Sequence, residues 1–164
     1  MSFSAEMTDF GLVALAGLLG GAIGIERELA DKPAGLRTHI FVAAGAALLV
    51  VLGETALGTM QPRGPDGRVA GDPIRVIQAI VVGISFLGAG TIIHRRDSSI
   101  EGLTTAASIF LTAGIGIAVA LLRIWLAVGM TLFGVLVLTS APWIEGRLLR
   151  KRLRGPRPAD EDAR

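Results

Sequence analysis

The sequence contains no cysteine and no tyrosine. Without cysteine there can be no disulfides or thiolate metal sites; the compartment stays open, because buried membrane helices need neither. Charge is scarce too. Asp, Glu, Lys and Arg make up 18% of the 164 residues, whereas 51% are hydrophobic. A soluble domain of this length would bury a core and cover it with charge. Here the charges lie mostly outside a few long apolar runs, the pattern of an integral membrane protein. One domain fits the length. The opening "MSFSAEMTDF" has Glu6 and Asp9 but no Lys or Arg, so it lacks the basic start of a secretory leader, and the first apolar run is expected to be retained. Nor does the formal charge of +2 point to nucleic acid. Six of the 16 basic residues fall between Arg147 and Arg157, directly after an apolar run, as in a membrane anchor.

Five apolar segments can be drawn, each near the ~20 residues that a helix needs to cross the hydrocarbon. They run from about Phe10 to Ile25, Leu36 to Gly53, Ile74 to Ile93, Leu103 to Leu122 and Ile124 to Ile144. Only Arg123 separates the last two, so either their connection is tight or they form one long or re-entrant segment. Continuous apolar runs without alternation favour helices, which satisfy their own backbone hydrogen bonds in lipid. The expected fold is an all-α integral membrane protein: two like-oriented helical hairpins plus a fifth helix. Residues 1–145 form its transmembrane domain, and residues 146–164 a basic tail expected to be disordered. Twelve of the basic residues would lie on the side of the tail and only Arg63, Arg68, Arg75 and Arg123 on the other. The positive-inside rule then puts the N-terminus outside and the C-terminus in the cytoplasm. Outside, "GETALGTMQPRGPDGRVAGD" reads as a flexible Gly- and Pro-rich loop. Asp72 then caps the third span ahead of Pro73, and Arg75 pairs with Asp72 or reaches headgroups.

The two hairpins share an entrance. "GLRT" (Gly35, Leu36, Arg37, Thr38) lies 67 positions before "GLTT" (Gly102, Leu103, Thr104, Thr105), and the same shift lays Gly21 on Gly88. Such a repeat would be parallel, related by an axis along the membrane normal. A glycine lets the chain turn before each helix. The threonines can bond free backbone groups or a neighbouring helix, and Pro33 stiffens the first approach. Glycines four apart (Gly17 and Gly21, Gly20 and Gly24) and the cluster ending in Gly88 and Gly90 fit close helix packing in a tight bundle, with a homodimer left open.

No span carries an ionisable residue at its centre, which argues against a proton-coupled carrier though not against a hydrated pore. Charge gathers at the cytoplasmic boundary instead: Glu26, Arg27, Glu28, Asp31, Arg37, His39, His94, Arg95, Arg96, Asp97 and Glu101. Glu26 and Glu28 diverge by about 200° on a helix and would not chelate one ion without unwinding, so divalent binding stays the lesser alternative and a metal site is left open. Pairing of one carboxylate with Arg37, Arg95 or Arg96 across this vestibule is the expected arrangement. His39 reads as a hydrogen-bonded structural histidine, with a pH-responsive role as the alternative. No nucleophile–base set, phosphate loop or zinc spacing appears, so neither an enzyme nor a bound cofactor is expected.

"GIERE", "KPAGLRTH", "DPIRV", "GISFLGAGTI" and "EGLTTAAS" stand in the order and spacing of the membrane domain of the MgtC/SapB family, which the chain resembles from about Gly11 to Val137. The resemblance implies a multi-pass protein of the bacterial inner membrane, linked to survival in low magnesium and to virulence. Its implied partners are the lipid bilayer and another membrane protein, an F-type ATP synthase or a P-type magnesium ATPase. It makes Glu26, Arg27, Pro33, Gly35, Leu36, Arg37, Thr38, Asp72, Arg75, Gly88, Gly90, Gly102, Leu103, Thr104 and Thr105 signature positions. Where the family has Trp after "GLTTAAS" and one more residue, this chain has Phe110. Many relatives also have a soluble cytoplasmic domain after the last span, in place of which this sequence has the short basic tail. On these grounds the expected function is a non-enzymatic membrane regulator that binds another membrane protein. A small channel or transporter for magnesium or another small solute is the alternative.

Overall fold

The computed structural model describes residues 3–60, 72–94 and 100–153. The expected all-α membrane fold is observed, with one addition. The described residues form five helices, α1 (Phe3–Leu29), α2 (Leu36–Met60), α3 (Pro73–Ala89), α4 (Leu103–Ala120) and α5 (Ile124–Leu153), with a two-residue antiparallel ladder, β1 (Ile93–His94) with β2 (Ile100–Glu101), between α3 and α4. Among the described residues, three helices are long and apolar enough to cross a membrane, namely α1, the Leu36–Leu57 part of α2, and α4. α3 and the Ile124–Ser140 part of α5 are shorter apolar helices.

Each boundary has a local cause. At the start of α3 the Asp72 side chain accepts from the Ile74 N–H at 3.0 Å, with Pro73 in the first turn, as expected of this dipeptide. The Arg75 side chain is exposed, and the Asp72 carboxylate goes to the backbone. α3 stops at Ala89, short of the Ile93 limit read from hydropathy, because Thr91 and Ile92 bond back three residues in turn geometry and β1 begins. α2 instead runs on to Met60, so the first residues assigned to the outer loop, Glu54 to Met60, are helical. α5 continues to Leu153, which makes residues 146–153 of the expected disordered tail helical. Residues 154–164 lie outside the described residues.

The junction between α4 and α5 is a real break, not one long segment. The Arg123 N–H returns to the Ala118 carbonyl and the Leu122 N–H to that of Val119, a Schellman closure with Leu122 left-handed at φ 58°. The end of α1 closes in the same way: Lys32 bonds to Arg27, and Asp31 to Glu28, with Asp31 at φ 53°. A left-handed leucine is strained by roughly 1–2 kcal/mol, whereas aspartate tolerates the region. Leu122→Gly is therefore expected to stabilise the protein in detergent by about 1 kcal/mol, and Asp31→Gly by clearly less. Thermal unfolding of both variants checks the order.

α1 packs on α2, α4 and α5, α2 packs on α4, and α3 packs on α2 and α4. The core between α1, α2 and α4 is built of small residues, including Ala16, Ala43, Ala46, Ala47 and Ala113, with Ile23, Ile109 and Ile115 filling the gaps. Lipid supplies no hydrophobic drive between helices, so close backbone approach holds them. Gly20 faces the His39 carbonyl and the Ala43 methyl, and Gly116 lies against the Ala43 backbone. Contacts of Arg27 with Thr105, and of His39 with Ser108, set the starts of α2 and α4 side by side at the end of α1. Both Gly-Leu-x-Thr entrances thus sit at one end of the bundle, and α2 and α4 run the same way. The two turns differ in detail. Gly102 is left-handed at φ 91° and crowds the Thr91 carbonyl, so it needs glycine on both counts.

Candidate functional site

The polar side chains of the bundle gather where the two entrances meet. Arg27 is the charged member. It is only 4% exposed, although α1 is otherwise apolar on that face. The row Gly20, Gly24, Arg27 follows helical spacing along the side of α1 that meets α2, so the guanidinium is carried inward with the glycines. Its Nη2 donates to Thr105 Oγ1 at 2.9 Å, while Nε has no hydrogen-bond partner among the described residues. The neighbouring Glu26 likewise keeps one buried, unpartnered carboxylate oxygen, Oε2.

His39 is fully buried one turn into α2. Its Nδ1 lies 2.9 Å from the Gly35 carbonyl, which can only accept, so Nδ1 carries a ring proton. Nε2 lies 3.1 Å from Ser108 Oγ, and that oxygen is also 2.9 Å from the Thr105 carbonyl. One hydroxyl proton serves one acceptor at a time. With a neutral ring, Ser108 donates to Nε2; with a charged ring, Nε2 donates and the Ser108 proton turns to Thr105. Thr112 Oγ1 bonds to the Ser108 carbonyl at 2.8 Å and extends the chain of polar groups one turn deeper. His39 is thus hydrogen-bonded into the structure, tying α2 to α4.

Glu28 has a structural task that its motif did not disclose. Its Oε2 accepts the Leu36 backbone N–H at 2.7 Å and caps α2 from the preceding turn. Gly35 sits beneath that carboxylate, and a Cβ there would push the Glu28 side chain off its cap. Glu28→Ala is expected to cost about 1 kcal/mol, with Glu28→Gln losing clearly less because an acceptor oxygen remains. Melting temperatures of the two variants in one detergent decide the point.

The structure therefore brings Arg27, Glu28, Gly35, His39 and Thr105 together, with Glu26 beside them. It turns others away. Pro33, Arg37, Leu103 and Thr104 are exposed, and Leu36 and Thr38 are half-buried. Asp72 and Arg75 stand at the start of α3, at the opposite end of the bundle. Gly88 is buried against Ala106 of α4, and Gly90 ends α3. Arg95, Arg96 and Asp97 lie outside the described residues. Sequence reasoning missed Ser108 as a partner of His39, and among the signature positions it did not single out Arg27 and Thr105 as the buried pair. For the arginine a signal existed in the spacing of Gly20, Gly24 and Arg27; for Ser108, buried polarity three residues after Thr105 was the only cue.

Apolar helices of spanning length, joined at a buried hydroxyl, imidazole and guanidinium cluster, define a multi-pass α-helical membrane protein. The chain belongs to the MgtC family, whose model matches residues 13–147. An uncharacterised protein of Haemophilus influenzae is 36% identical over 145 residues, covering 88% of this chain and 60% of its own length. The putative magnesium transporter YhiD of Escherichia coli K12 is 36% identical over 137 residues, 84% of this chain and 62% of its own. Protein SapB of Bacillus subtilis is 33% identical over 141 residues, 86% and 60% respectively. The chain thus spans about 60% of the length of these relatives. No solved structure matches it significantly.

Proposed function

We propose that this protein is a non-enzymatic regulator of the bacterial inner membrane, acting in magnesium homeostasis by binding another membrane protein. The observation that supports this reading is the close packing where α1, α2 and α4 meet. Where α1, α2 and α4 meet, backbone lies on side chain or backbone at Gly20, Gly24 and Gly116. The polar groups at the entrance end are turned onto one another there. Such a bundle is a rigid scaffold, and its free chemistry lies outside: Lys32, Pro33, Arg37, Leu103 and Thr104 are all exposed around the hub. The basic loops and tail favour a cytoplasmic hub, with the N-terminus outside. The partners implied by the family resemblance are an F-type ATP synthase and a P-type magnesium ATPase, and a second copy of the chain is a further candidate. Gentle-detergent capture from native membranes tests the reading. A partner enriched over an unrelated five-span control, and lost in Leu103→Ala with Thr104→Ala, is expected; equal recovery from both baits would defeat it.

A small transporter for magnesium is the second reading. It is favoured by the name given to the E. coli relative and by the unpartnered oxygen of Glu26 at the entrance. Liposomes loaded with a magnesium-sensitive dye separate the two. Flux abolished by Glu26→Gln supports transport, and dye silence with intact protein supports the regulator.

A further inference from the structure

α2 and α3 form a V. They touch near one end, where Gly53 lies against Val76. Towards the hub they part, leaving a lateral groove of about 490 Å3. Val42, Ala46 and Ile80 close its floor, and two glycines keep it open: a Cβ at Gly45 or Gly83 would meet nothing within 4 Å. Its walls are apolar, with Phe41 and Leu49 on α2 and Ile84 and Leu87 on α3. The row Phe41, Gly45, Leu49 advances four residues at a time, and the next member towards the hub is the exposed Arg37. One end of this greasy trough therefore carries a cation at the membrane boundary, and the other end is shut by helix contact.

The dimensions identify what fits. From Thr38 to Leu49 the groove rises along α2 by about 16 Å at 1.5 Å per residue. That is close to half of a hydrocarbon core of ~30 Å, which is one leaflet. A spanning helix from a partner would run off the groove where α2 and α3 converge, whereas an acyl chain would end there. We propose that the α2–α3 groove holds one acyl chain of an anionic glycerophospholipid in the hub-side leaflet, with its phosphate on Arg37. The guanidinium suits phosphate because its parallel donors engage two oxygens at once. This site is independent of whether the hub binds a protein.

Native mass spectrometry of the whole chain tests it, with phosphatidylglycerol and phosphatidylcholine of identical acyl chains added to delipidated protein. The wild-type chain is expected to retain one phosphatidylglycerol about tenfold more tightly than phosphatidylcholine, the ratio expected for a single charge-assisted contact. Arg37→Gln should bring the two lipids level. Gly83→Leu and, on the facing helix, Gly45→Leu should lose the tight lipid of either kind; both variants project into open space, and size-exclusion profiles check their folding. Retention unchanged in both glycine variants overturns the proposal. So does a headgroup preference that survives Arg37→Gln but vanishes when residues 147–164 are removed. A photoreactive residue at position 41 or 87 in native membranes gives an orthogonal reading: adducts with phospholipid support the site, and adducts with a polypeptide overturn it.

Discussion

Replacing Gly116 with valine is expected to leave little or no monodisperse protein, whereas the same change at Gly114, two residues earlier on α4, should be nearly silent. An ideal Cβ at Gly116 would collide with the Ala43 carbonyl oxygen and stand 3.0 Å from its carbon and 3.1 Å from the Ala43 Cα. These atoms are backbone, so no rotamer change relieves the clash, and α2 would have to move as a body. It cannot do so freely, because α2 is also in contact with Gly20 of α1, where a Cβ would lie 2.5 Å from the His39 carbonyl oxygen and 2.6 Å from the Ala43 methyl. Overpacking in a compliant core costs about 1–3 kcal/mol, and a clash against backbone held by a third helix belongs with the exceptional losses above ~4 kcal/mol. At Gly114 nothing lies within 4 Å of the added carbon. Size-exclusion profiles and melting temperatures of the two variants in one detergent measure the contrast. Equal behaviour would remove the claim that a three-helix crossing at Ala43 holds the bundle together.

This crossing also shows how far the residues alone could be read. Long apolar runs disclosed the helices, since a spanning segment has few other ways to satisfy its backbone. Their ends were less legible. Ile92 and Ile93 are as apolar as the helix before them, yet they belong to a turn and a strand, because local backbone bonding decides the stop. Glu54 and Thr55 look like loop residues and are helical. The paired entrances were visible as Gly-Leu-x-Thr, including the need for glycine at Gly102. The choice between Thr104 and Thr105 was not. Adjacent residues on a helix point about 100° apart, and which of them meets Arg27 depends on how α4 is rotated against a helix 78 residues away in the chain. Spacing within one helix carries no information about that rotation. Arg37 was the motif's obvious cation for the same reason, and the rotation of α2 leaves it exposed.

The partnership of Arg27 and Thr105 predicts a reversal that no additive account of buried polarity would produce. Thr105→Val keeps shape and volume but takes away the acceptor that Arg27 Nη2 uses, in a place where Nε already has none among the described residues. A buried charge-assisted hydrogen bond contributes roughly 1.5–3 kcal/mol, and stranding its charged partner should make Thr105→Val cost at least that. Arg27→Met on its own removes the charge, fills similar space with an unbranched chain and leaves only a small hydroxyl, so its cost should be lower. The double variant strands nothing. Replacing buried ionic groups by packed apolar ones is often neutral or stabilising, whereas removing one partner alone is not. Arg27→Met with Thr105→Val is therefore expected to be more stable than Thr105→Val by about 1–2 kcal/mol, so that a second loss of polarity rescues the first. A double-mutant cycle on unfolding in mixed micelles measures the coupling. The sign of the second step is the discriminating quantity. If Arg27→Met further destabilises the Thr105→Val background, then Arg27 has another partner at the hub, and the cluster is wider than the four groups Arg27, Thr105, Ser108 and His39 that the hydrogen bonds connect.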